Sequence, residues 1–129
     1  MLVASTRYEQ GGPGDFAHEI THNMRGDVVL YIFNDNIADR DSNHQGGGNA
    51  TARPFASVVD HMYPRAAGVC TGTAGGSQEN GFSKLTAEVC AIIDADIAGI
   101  DAMLTTGRYH TVVYSAEDNS RVAYWCQHF

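Results

Sequence analysis

Lysine is almost missing from this chain. Seven of its eight basic residues are Arg, and only Lys84 is Lys. Lys is the usual solubilising cation, whereas Arg carries a rigid planar fork that matches phosphate and carboxylate. The few cations present are therefore candidates for anion recognition, with compositional bias as the plain alternative. Positive charge is scarce altogether, since 15 acidic residues give a formal net charge of −7. An acidic body repels a polyanion at long range, which argues against a nucleic acid polymer as partner and leaves room for a small anion in a local basic pocket. Cysteine is also sparse. Cys70, Cys90 and Cys126 are odd in number and lack CxxC or metal-type spacing, so free thiols in a reducing cytosol are expected. No apolar run reaches the roughly 18 residues of a membrane span. MLVASTRYEQ has no basic stretch leading into an apolar one, so no signal peptide is expected and the predicted location is cytoplasmic.

The 129 residues suit a single domain, and a hydrophobic content of 43% suffices for a core. GGPG at 11–14 sets residues 1–14 apart as a tail. VVLYIF at 28–33 reads as a strand buried on both faces, AAGVCT at 66–71 as a weaker strand, and TVVYSA at 111–116 as another strong one. Val89, Ile93, Ile97, Ile100 and Leu104 fall on one face of a long helix, with Asp94, Asp96 and Asp101 off that line. Thr86 is its expected N-cap and Gly107 its stop. The predicted class is α+β, a mixed β-sheet covered by one long C-terminal helix, with an α/β macro-like layer fold as the alternative. Residues 34–65 and 72–82 are long irregular stretches, which in a compact domain point to function.

Several constellations could carry chemistry. His18, Glu19 and His22 spell HExxH, the pattern that places two imidazoles and a general base on one helix face for zinc, with Glu88 as a third ligand to consider. Too little chain precedes it for a peptidase cleft, and an exposed polar turn competes with that reading. Asn34, Asp35 and Asn36 follow the strongest strand, where parallel sheets tend to bind ligands; ordinary Asx turns explain them equally. Gly46, Gly47 and Gly48 could present bare N–H groups to an anion, with Asn49 as an added donor and Arg53 downstream. The pattern is neither GxxxxGK[ST] nor GxGxxG, and a flexible loop is its plain alternative. Arg65 precedes the second strand, and Thr71-Gly72-Thr73 follows it. Phe82, between Gly81 and Ser83, could stack on a base or staple the helix. Glu117 and Asp118 follow the last strand. There is no GxSxG and no Cys–His signature, so no catalytic residue, metal ligand or cofactor is assigned.

Taken in order, HEITHNMRGDVVLYIFNDNIAD, GGGNATARPF, PRAAGVCTGTAGG, GFSKLTAEVCAIIDADI and YHTVVYSAED resemble the type-one Thoeris anti-defence family of phage proteins. The likeness covers roughly residues 16–118 and rests on the combined order of the motifs. It implies a sponge that sequesters, uncleaved, a cyclic ADP-ribose-type signal made by bacterial TIR-domain enzymes, in some members with cyclic oligonucleotides at separate sites. It further implies a homodimer or higher homo-oligomer. Asn36, Asn49, Arg53, Arg65 and Phe82 are the implied ligand contacts, beside Gly47, Gly48 and Thr71 from the residue reading. Met24 and Arg25 would serve a neighbouring subunit's pocket. The chain departs from the family pattern after SAED, where SRVAYWCQHF replaces a glycine turn and a further apolar segment. An ADP-ribose-processing macro-like enzyme and a small zinc peptidase using HEITH are the alternative functions.

Overall fold

The computed structural model describes residues 1–22, 28–57, 63–73, 82 and 84–116. The protein is α+β: among the described residues, a four-stranded sheet with three helical segments. The strands are β1 (Leu2–Thr6), β2 (Val29–Asn36), β3 (Ala66–Gly72) and β4 (Thr111–Ser115). The helices are α1 (Phe16–His22), a 3-10 helix over Gly48–Ala56, and α2 (Ala87–Thr105).

The sheet order is β1-β4-β2-β3, and every pair is parallel. A mixed sheet was expected, but each link between successive strands runs through a helical segment, and such a crossover returns the chain in the same direction. Residues 1–14 are likewise not all tail. Leu2 pairs with Thr111 and Thr6 with Ser115, making β1 an edge strand. Its outward groups are exposed, Leu2 at 71% and Val3 at 68%, so it lacks the buried apolar signature that marks β2.

Alternation along β2 sends side chains to both faces. Leu30 and Ile32 join Ala67, Val69 and Val112 beneath Ile93 and Ile100 of α2. Tyr31 and Phe33 join Ala66 beneath Phe16 and Ile20 of α1 and Ala52 of the 3-10 helix. Helices thus cover both faces, which is why β2 reads as a continuous apolar run.

Helix α2 starts and ends where its caps dictate. The Thr86 side chain accepts a hydrogen bond from the Val89 N–H, and Gly107 takes φ +76°, a left-handed conformation suited to glycine. Its buried face is turned slightly from the expected one. Ile97 is 44% exposed, while Asp96, three residues from Ile93 and four from Ile100, faces the sheet instead.

Candidate functional site

The carboxyl ends of β2 and β3 carry most of the polar chemistry. The FNDN motif is the second half of strand β2, not a loop after it. Because neighbouring side chains point to opposite sides, Asn34 and Asp35 feed two different clefts. The GGGNATAR segment feeds the same two. It is no slack linker: Gly46 N–H donates to the Ala50 carbonyl, Ala50 N–H donates to Gly47, and Thr51 Oγ1 donates to the Gly48 carbonyl. Gly48 sits at φ +56°, so glycine is needed there for the chain to enter the 3-10 helix.

The first cleft, of about 210 Å³, is lined by Asn34, Gly47, Gly48, Asn49 and Ser115, with Tyr8 at its side. The start of the 3-10 helix leaves the N–H groups of Gly48 and Asn49 without an intrahelical partner. Asn49 is only 8% exposed. Its Oδ1 accepts the Phe16 N–H at 2.9 Å, tying the start of α1 to the glycine turn. Its Nδ2 is buried with no hydrogen-bond partner among the described residues. A buried donor left unpaired is uncommon, so this one is a candidate ligand contact.

The second cleft, of about 300 Å³, is charged. Asp35, Arg53, Arg40 and Asp96 line it along with Gly68. Arg53 Nε and NH2 donate to Asp35 Oδ1 at 3.0 and 2.7 Å, and NH1 donates to the His44 carbonyl at 2.6 Å. Arg40 pairs with Asp96, whose Oδ2 accepts the Cys70 N–H of β3 at 2.9 Å.

Other expected site residues are placed differently. Arg53 was expected to meet a phosphate, but its side chain is 2% exposed and its fork is taken up by Asp35 and His44. Arg65 precedes Ala66, the partner of Tyr31, whereas Asp35 pairs with Cys70 at the other end of the ladder. Four residues of strand, about 13 Å, separate those two pairs, so Arg53 and Arg65 do not converge on one ligand. Arg65 Nε and NH2 are buried without a hydrogen-bond partner among the described residues. Asn36 is a turn builder, as the Asx alternative allows: its Oδ1 accepts the Asp39 N–H and its carbonyl the Arg40 N–H. Thr71 is 7% exposed and donates to the Asp35 carbonyl. Phe82 is partly buried against the apolar layer beneath α2. Met24, Arg25, Glu117 and Asp118 lie outside the described residues.

HEITH does form a helix, but its ends are occupied. His18 and His22 stack with ring centroids 4.0 Å apart, and His22 Nδ1 contacts the His18 carbonyl and Thr21 Oγ1. Helices α1 and α2 lie on opposite faces of the sheet, which removes Glu88 as a third ligand. Among the described residues no three His, Cys, Asp or Glu side chains cluster as a metal site. Nor is any described helix long and apolar enough to cross a membrane.

Sequence reasoning missed Arg40 and Asp96. The signal available was an Asp at helical spacing from two buried isoleucines, a position that costs stability unless the carboxylate finds a partner.

Cys70 lies beneath this charged cluster. Burial, and then the charges of Asp96 and Asp35, push its thiol up to about 11. At pH 8 only about one thiol in a thousand would be thiolate. Native protein should therefore resist iodoacetamide at Cys70, while the half-buried Cys90 is labelled, as peptide mass spectrometry would read. The folded form also holds this proton more tightly than the unfolded chain. Stability from this group is thus complete below the ordinary thiol range near 9 and falls as pH rises toward about 11.

Comparison with protein-family models, with curated proteins and with solved structures returns no match.

Proposed function

We propose that this protein is a binding protein that captures a cyclic ADP-ribose-type nucleotide and holds it uncleaved. In a phage setting that would withhold the signal of TIR-domain immune enzymes, as the motif resemblance implies. The observation that carries the reading is convergence. FNDN and GGGNATAR, separate in sequence, meet at the strand ends, where Asn34, Gly47, Gly48 and Asn49 line one cleft.

The chemistry of that cleft suits holding a ligand. Amides, hydroxyls and main-chain N–H groups donate and accept hydrogen bonds but do not shuttle protons near neutral pH. The N–H groups that open the 3-10 helix suit a phosphate oxygen. With Arg53 held by Asp35 and His44 and Arg65 at the other end of the β2–β3 ladder, phosphate recognition in this reading passes to Gly48 and Asn49. A cleft of about 210 Å³ falls below the roughly 300–1,000 Å³ of a whole-ligand site. A second copy of the chain closing over the ligand is therefore part of the proposal.

The test is retention. Protein incubated with cyclic ADP-ribose, freed of excess by gel filtration and then heat-denatured should release the intact cyclic compound, identified by mass spectrometry. Recovery of linear ADP-ribose would reassign the protein as a hydrolase, and an empty eluate would end the reading.

A further inference from the structure

In the charged cleft one oxygen of Asp35 is crowded with donors, and among the described residues the other accepts none. Three hydrogen bonds end on Asp35 Oδ1, from Arg53 Nε, Arg53 NH2 and the Asn36 N–H. Oδ2 receives none among the described residues, and Asp35 lines the cleft, so this oxygen is available to a ligand there.

The surroundings of Oδ2 define what could donate to it. It leans over Gly68, where an added Cβ would lie 2.7 Å from Oδ2 and 3.0 Å from the Phe33 ring. The floor of the cleft is thus bare main chain. Among the described residues strand β3 is the sheet's outer strand. The Cys70 N–H points outward, to Asp96, and main-chain direction repeats every two residues along a strand, so the N–H and C=O of Gly68 point outward as well. The cleft therefore sets a carboxylate oxygen beside an open strand edge. Arg40, held by Asp96 and 28% exposed, closes one side with a flat guanidinium that can stack on a ring.

We propose that this cleft, where Asp35 Oδ2 overhangs the free edge of β3 at Gly68, takes the amino-bearing edge of an adenine. The inference rests on the nucleotide reading above and assigns the base to a different cleft from the phosphate. An adenine amino group needs one acceptor, and its ring nitrogens take a main-chain N–H. Guanine offers two adjacent N–H donors that call for both oxygens of a carboxylate, and Arg53 already covers Oδ1. Hypoxanthine held in adenine's pose would set a carbonyl oxygen against Oδ2, and offering its N1–H instead requires the ring to shift and turns its carbonyl toward the strand edge. The volume of about 300 Å³ is at the low end of ligand sites, suited to one base.

The test uses AMP and IMP, which differ only at this edge, as direct ligands and as competitors of cyclic ADP-ribose on the whole chain. AMP should bind about 10- to 100-fold more tightly than IMP, the range of one hydrogen bond to a charged group. Asp35→Asn should erase the preference. Should that variant not fold, the comparison on the unaltered protein decides alone. If cyclic ADP-ribose is captured while AMP and IMP compete equally, the adenine assignment falls and capture stands. If cyclic ADP-ribose is not captured but AMP is preferred, capture falls and the adenine cleft stands. Binding of neither mononucleotide at millimolar concentration overturns the assignment.

Discussion

Arg53→Ala should lower the free energy of unfolding by about 3–5 kcal/mol, the range for removing one partner of a buried ion pair. For a domain of this length that is a fall in Tm of roughly 10–20 °C. The size follows from burial. The two side chains are 2% and 9% exposed, so water screens neither charge. Removing the guanidinium strands the Asp35 carboxylate, frees the His44 carbonyl, and takes a cation from above the Phe33 ring, 5.9 Å from its centroid. The paired replacement Arg53→Met with Asp35→Leu should recover much of the loss, because it removes both charges and keeps the volume. Urea unfolding of the three proteins measures this. A loss under about 1 kcal/mol for Arg53→Ala, the value of an exposed pair, would return Arg53 to the list of ligand contacts.

Much of the fold is legible because local signals and burial agree. The run at 28–33 is apolar throughout because β2 is an inner strand with helices over both faces. Thr86 and Gly107 mark the ends of α2 by cap chemistry that acts within a turn. The failures are of another kind. Strand β1 is held by pairing to β4 from more than a hundred residues away and buries little, so no local pattern betrays it. Arg53 looked available because its partner lies 18 residues earlier, and charge alone does not say which carboxylate a guanidinium will meet. Asp96 looked exposed because it was grouped with Asp94 and Asp101. Its position between Ile93 and Ile100 places it against the β3 edge, where it pairs with Arg40 and caps Cys70. At the candidate site, the meeting of the FNDN and glycine segments was expected from the family resemblance alone, since no local pattern in either segment points to the other. That one segment divides between two clefts depends on strand alternation and on the 3-10 helix, which a glycine-rich reading hides.

Gly47→Trp separates folding from capture most sharply. Gly47 has φ −80° and ψ 160°, extended backbone that any residue adopts. A Cβ built there meets nothing within 4 Å, so a side chain has room, and loss of glycine's freedom in the unfolded chain should stabilise by about 0.4–1 kcal/mol in the Ala variant. The indole of the Trp variant would occupy the cleft shared with Asn34 and Asn49. Capture of cyclic ADP-ribose should then weaken by at least about 100-fold, or 2.7 kcal/mol, with Tm unchanged. Its neighbour gives the contrast. At φ +56° Gly48 is in the left-handed region, so Gly48→Val should cost about 1–2 kcal/mol in backbone strain before any ligand is considered. Isothermal titration and thermal melts on the same preparations distinguish the cases. Full affinity in Gly47→Trp would remove the glycine turn from the binding surface, since no loss of structure would be there to explain the result away. Loss of affinity with an intact melt leaves steric exclusion from that cleft as the cause.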